Sequence, residues 1–343
     1  MTGNACQTRQ KQWLFGLSIL GVLALAAVGA AVLALMSGSS GIAADKVIKI
    51  LSSPPDSIEG RIIWDIRFPR LLLGFAVGGA LSLAGVILQG MFRNPLVEPY
   101  TLGISGGAAV GVSLNILWGL SGVWHIGLPL SGFLGACLVI CLLYVLSRRG
   151  RELPLQGMLL TGVMLTFISS SLMLLILAVS RTEDLQGILF WIMGSLDEPD
   201  PALIRIMIGI SLSGLVACYF FHADLNALAL GEEEARHLGI PVERTKRSLF
   251  VIASVLTGVS VAVAGVIGFV GLVVPHIMRG LVGRDARILL ISSFLGGGTF
   301  LVLCDTVART LIAPVELPVG VVTGLLGGCL FIYVLARGKG RPL

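Results

Sequence analysis

The chain has 343 residues, of which 55% are hydrophobic and 13% charged, with 24 Lys and Arg against 19 Asp and Glu. At a mean hydropathy of +0.95, there are too few charges to cover a water-soluble globule of this length, so the composition specifies an all-α polytopic membrane protein. The net charge of +5 does not imply nucleic-acid binding, because basic residues at the ends of apolar runs are what membrane topology requires. Cysteines at 6, 137, 141, 218, 304 and 329 fall mostly inside apolar runs, with no CxxC pair and no histidine cluster at metal spacing. They read as small packing residues and not as a disulfide frame or metal site.

The first apolar run, 13–36, follows Arg9 and Lys11 and precedes a small-residue patch. A signal-peptide core has roughly 7–15 apolar residues, whereas this run reaches the ~20 needed to cross a bilayer, and is counted as span 1. Residues 44–51 alternate Val47, Ile48, Ile50 and Leu51 with Lys46 and Lys49, a pattern suited to lying flat on the outer surface.

Further spans are expected at 62–90, 99–117, 124–146, 154–179, 201–221, 248–270, 272–282, 286–306 and 317–336. This makes about ten, the eighth too short to cross alone at ~1.5 Å per residue. With the N-terminus inside, sixteen of the 24 basic residues fall on the inner side. The positive-inside rule thus predicts that both termini are cytoplasmic. The whole chain, 1–343, is one transmembrane domain: 1–60 is the first span and outer loop, 61–221 spans 2–6, 222–247 a cytoplasmic loop, and 248–343 spans 7–10.

Ala84-Gly85-Val86-Ile87 recurs as Ala264-Gly265-Val266-Ile267, and the same offset carries Gly78 onto Gly258 and Pro95 onto Pro275. Five intervening spans would reverse the second copy, so the halves are read as possible inverted-topology repeats, or as chance identities in an Ala- and Gly-rich chain. Pairs of glycines four apart (74/78, 103/107, 107/111, 320/324, 324/328) provide for close helix packing in lipid. Pro95 and Pro275 are expected to interrupt helices.

The hydrophilic stretch 224–247, DLNALALGEEEARHLGIPVERTKR, separates spans 6 and 7. Gly231 ends its first half; three glutamates open the second, which carries Arg236 and His237 and closes at Gly239 and Pro241. Acids first and bases last suit a helix dipole, and the glycines and proline stop it. Two short helices outside the bilayer are expected.

No acidic residue lies plainly mid-span, Asp305 being the least clear, and no GxxxxGK[ST] is present. An ion-coupled carrier normally keeps an ionisable group in its bundle, and an ATP hydrolase needs a phosphate cradle. Energy is therefore expected from a partner acting on the 224–247 loop. The alternative is an ion-coupled secondary transporter or a channel. An intramembrane enzyme finds no HExxH or GxSxG.

Four collinear stretches carry a family resemblance: RFPRLLLGFAVGGALSLAGVILQGMFRNPLVEPYTLGISGGAAVG (67–111), LNALALGEEEARHLGI (225–240), AGVIGFVGLVVPHIMRGLVGRDAR (264–287) and DTVARTLIAPVELPVGVVTGLLGG (305–328). They resemble the permease subunits of ABC importers for iron siderophores, haem and cobalamin. The resemblance implies a ten-helix inner-membrane subunit, paired with a second identical or homologous permease, two cytoplasmic ATPase subunits and a periplasmic binding protein. ATP and Mg would sit on the ATPase and no cofactor on this chain. It further implies that Leu225, Ala229, Leu230, Gly231, Glu232, Ala235, Arg236 and Gly239 couple to the ATPase. Arg67, Arg70 and Arg309 would dock acidic residues of the binding protein, the plainer role for each being a headgroup anchor. Asn94, Leu96, Leu155, Gln156, Thr161, Ser169 and Thr323 would mark pathway and gate, where Leu155 and Gln156 depart from the small hydroxylated pair of the cobalamin importer. Any single hydroxyl is more readily spent on its own helix. His276, alone beside Pro275, reads as a packing or hydrogen-bonding residue.

Overall fold

The computed structural model describes residues 2–38, 50, 57–120, 127–148, 150, 152–198 and 200–337. Nearly all of 44–51 lies outside them. The helices are α1 Thr2–Met36, α2 Ile58–Phe92 (with a π-helical turn at Ile62–Arg67), α3 Ile104–Leu117, α4 Gly127–Ser147, α5 Leu155–Val179, α6 Thr182–Ile192, α7 Pro201–Phe220, α8 His222–Leu230, α9 Glu232–His237, α10 Val242–Ala264, α11 Val270–Val282, α12 Ala286–Thr310 and α13 Val319–Arg337. Among the described residues seven helices are long and apolar enough to cross a membrane, and α3, α11 and α13 supply three shorter apolar ones. The ten expected spans are all helical, although the third is as short as the eighth: its first residues, Pro99–Leu102, form a separate 3-10 turn.

Helix α2 is the axis of the bundle, 83% of its apolar window buried, followed by α12 and α10. It packs against α7, α10, α11 and α12, while α1 lies along the outside of α12. Apolar attraction between helices is weak in lipid, so close backbone approach must do the holding. At the α2–α12 crossing Gly78 and Gly297 face each other, and a Cβ on either would strike the other's carbonyl. Gly107 of α3 and Gly135 of α4 repeat the arrangement. Gly324, by contrast, has open space where its Cβ would be, so that member of the glycine series packs nothing in this chain.

The order of elements after α1 does repeat. A long helix, a break, a short helix and a long one (α2–α4) recur as the same sequence of types in α10–α12. The matching tetrapeptides are not structural equivalents, however. Residues 84–87 lie inside α2, whereas 264–267 cover the end of α10 and the break beyond it, where Gly265 takes φ +69°. Likewise Pro95 stands in the turn after α2, while Pro275 sits inside α11 without ending it. Proline removes the donor that would satisfy the Gly271 carbonyl four residues back. The side-chain amide of Gln89, on α2, donates there instead, and to Leu272 O, at 3.2 Å each.

A segment not foreseen from the sequence closes the end of the bundle opposite α8 and α9. Following α6, Ser195 N–H donates to Ala264 O (2.9 Å), and Met193 O accepts from Gly320 N–H (3.1 Å). The strap thereby ties the end of α10 to the start of α13.

Candidate coupling surface and ion-pair clusters

Two short helices, α8 and α9, do occupy the hydrophilic loop, joined at Gly231. Its φ of +147° is a backbone region that side chains rarely adopt, and an added Cβ would meet the Glu234 carboxylate. Leu225, Ala227 and Leu228 of α8 turn into the bundle, and Ala235 of α9 is fully buried. Of the eight residues expected to couple, Leu225, Gly231 and Ala235 are buried within this chain. Ala229, Leu230, Arg236 and Gly239 are exposed and Glu232 half-buried. Sequence reasoning missed Leu238, which is 63% exposed, as open as Leu230 at 64%. Two open leucines in an otherwise charged loop were the available signal.

Behind this surface lies a buried cation. Lys246, one turn into α10 and 2% exposed, bonds Glu232 (3.1 Å) and Glu243 (2.7 Å). Its ammonium also donates to Leu153 O at 3.0 Å, and Glu243 accepts from Leu153 N–H at 2.8 Å. Both backbone groups of Leu153 are thus held by α10 two residues before α5 begins. A displacement of α9 has a continuous polar path through Glu232 and Lys246 to the base of α5.

At the opposite end the three arginines expected to dock a partner are turned inward. Arg67, Arg70 and Arg309 are 5%, 8% and 6% exposed. Arg70 bonds Asp305 (2.9 Å) and Glu316 (2.7 Å), and Arg309 bonds the other Asp305 oxygen (2.9 Å). Arg309 also donates to Ala34 O and Ser37 O, and Arg67 to Leu35 O. These bonds join α1, α2 and α12, with the forks of Arg70 and Arg309 committed to internal acceptors. Asp305, the least clear acid, is the hub.

The gate and pathway residues scatter. Asn94 accepts from Leu96 N–H in a tight turn after α2, and Leu96 is exposed. Leu155 packs on the core at the start of α5, and Gln156 is exposed. Thr161 and Thr323 donate back to their own helices, at Gly157 O and Gly320 O. Ser169 is buried against Gly106. Ser170 and Ser171 are exposed on α5.

Glu98 stands half-buried in the turn before the third span. The chain after Arg93 turns back into the bundle, so that Pro99 lies against Gly271 and Tyr100 Oη accepts from Ile267 N–H at 3.2 Å. The Glu98 carboxylate lies near Phe269 N–H, immediately before α11, where the positive end of a half-length helix favours an acid. His276 meets Phe331 edge-on with ring centroids 5.9 Å apart, and among the described residues no His, Cys, Asp or Glu group could hold a metal. Five cysteines are free thiols; the side chain of Cys6 is outside the described set.

Residues 22–337 match the FecCD transport family. The chain belongs to that family. Among curated FecCD-like relatives, the vitamin B12 import system permease protein BtuC of Klebsiella pneumoniae is 39% identical over 98% of this chain and 96% of its own. The hemin transport system permease protein HmuU of Yersinia pestis is 39% identical over 81% and 84%. A solved metal-chelate type ABC transporter in an inward-facing conformation superposes with a TM-score of 0.83 at 32% identity, covering 93% of this chain and 99% of that one. The all-helical permease architecture of this FecCD chain is thereby established.

Proposed function

We infer that this chain is the transmembrane permease subunit of an ATP-binding-cassette importer for a metal chelate, in the class of ferric siderophores, haem or cobalamin. The observation that carries the reading is the pairing of a family-wide match with a polar loop, α8–α9, whose exposed leucines stand over the Lys246 clamp. The loop faces the cytoplasm, as do both termini, in the inner membrane. ATP hydrolysis takes place on two separate subunits seated against Ala229, Leu230, Arg236 and Leu238. A packed helix pair transmits movement as a shift between discrete arrangements, since close-packed interfaces do not deform smoothly. Movement of α9 is carried by Lys246 to Leu153 and α5, changing access along a route enclosed with a second, identical or homologous permease.

A periplasmic binding protein delivers the chelate at the opposite face. Because Arg67, Arg70 and Arg309 are internally paired, docking there uses the half-exposed Glu316 and exposed neighbours such as Arg61, with the buried arginines fixing their frame. The curated relatives named above are named for vitamin B12 and hemin, both large metal macrocycles, which favours a substrate of that size and chemistry.

Proteoliposomes holding the chain with its ATPase and a loaded binding protein should accumulate the chelate only with ATP on the α8–α9 side. Uptake should persist when ion gradients are collapsed. Uptake that ignores ATP and follows an ion gradient would overturn the reading.

A further inference from the structure

A cavity of about 470 Å³ opens between the end of α2, the side of α8, the last turn of α11 and the start of α12. Arg93, Arg279 and Arg284 all line it, together with Asn94, Asn226 and His276, and no carboxylate does. None of the three arginines is in an ion pair among the described residues, whereas the buried Arg70, Arg309 and Lys246 are matched by acids. The nearest acid in sequence, Asp285, has Oδ1 engaged by Arg287 N–H at 3.0 Å and Asn226 Nδ2 at 3.1 Å. Arg279 spends one nitrogen on Gln89 Oε1 (3.0 Å), which fixes its guanidinium against α2 and leaves its remaining donors for the cavity.

Arg93 is placed by an unusual backbone. It caps α2 with φ +49°, a conformation uncommon outside glycine and asparagine, and its Nη1 reaches to 3.5 Å from the position a Cβ would take on Gly231. The cavity thus adjoins the joint between α8 and α9. Arg279 and Arg284 lie close enough to repel one another, the Glu234 carboxylate standing near Arg93 alone, and a bound anion removes that cost. Guanidinium forks match the oxygens of phosphate in a bidentate way.

We propose that this cavity is a binding site for a phosphate-bearing anion, held by Arg279 and Arg284 and covered by Arg93. Two sources share that chemistry: the headgroup of an anionic phospholipid in the adjoining leaflet, and free phosphate in the cytosol. The site does not depend on the transport reading and can fail without it.

The test uses the full chain in neutral phosphatidylcholine nanodiscs. Thermal unfolding is followed while phosphatidylglycerol is added to the lipid in one arm and inorganic phosphate to the buffer in the other, against chloride at equal ionic strength. Arg284→Gln removes a solvent-exposed donor from the turn, and Arg279→Gln is the second variant. Arg205→Gln, an exposed arginine on α7 and outside the cavity, serves as control. The wild type and the control should be stabilised by one of the two additions, and each cavity variant should require about tenfold more of it, as for loss of one charge-assisted contact. Response to lipid alone assigns the headgroup, and response to buffer phosphate assigns the free anion. No response in either arm, or equal responses in wild type and both cavity variants, overturns the proposal and leaves the cavity to an acidic side chain of a partner.

Discussion

Lys246→Met is expected to abolish chelate uptake, by at least about tenfold, while leaving ATP hydrolysis by the assembled complex measurable. Methionine keeps most of the side-chain volume, so the core beside Leu249 and Phe250 stays filled. What disappears is the ammonium that holds Glu232, Glu243 and Leu153 O together. Breaking a buried pair by removing one member costs about 3–5 kcal/mol. Here Glu232 and Glu243 retain 33% and 25% side-chain exposure, and water recovers part of that, so the loss of stability should be nearer about 2 kcal/mol. Lys246→Arg keeps the charge and should restore part of the uptake. Paired assays of ATP-driven uptake and hydrolysis in the same proteoliposomes separate coupling from folding. Undiminished uptake by Lys246→Met would remove the clamp from the transmission path.

The second large effect is on stability. Asp305→Asn should lower the unfolding free energy by about 3 kcal/mol, because two arginines, each less than a tenth exposed, lose their common carboxylate. Arg70 keeps Glu316, but Arg309 keeps only the carbonyls of Ala34 and Ser37. Adding Arg309→Gln to Asp305→Asn should therefore cost less than the two single changes summed, since the pair shares one interaction. Thermal unfolding in detergent of the two single variants and the double variant measures the coupling. Additive effects would mean that the ion pair contributes nothing, and that these side chains are free to serve a partner after all.

Some of this could be read in the sequence and some could not, for reasons particular to the residues. The α8–α9 pair was legible because Gly231, Gly239 and Pro241 punctuate the chain and the glutamates precede the bases. The spans were legible because lipid demands unbroken apolar length. Arg70 and Arg309 could be placed at helix ends, but nothing local records that Asp305 lies within bonding distance of a residue 235 positions away. Only Arg70 was hidden for that reason, since Asp305 stands one helical turn before Arg309 and that pair has i,i+4 spacing. Glu98 stands in an ordinary polar turn by sequence, and only the return of the chain against Gly271 puts its carboxylate at the head of α11. Lys246 was hidden among Arg244 and Arg247, because burial of one base in a basic cluster leaves no periodic trace. Gln89 is a single amide in an apolar helix, and its partner is a carbonyl orphaned by Pro275 on another helix.

The central claim is that the loop face seats an ATP-hydrolysing subunit. Purification of the tagged full chain from the membranes of its native host, in mild detergent, tests it most directly when the wild type is run beside a Leu230→Glu/Leu238→Glu variant. The account predicts an ATPase retained at about one copy per chain by the wild type and lost by the variant, in which two carboxylates replace the exposed apolar contacts. A wild-type chain that retains no ATPase, or a variant that retains it equally, would contradict the account.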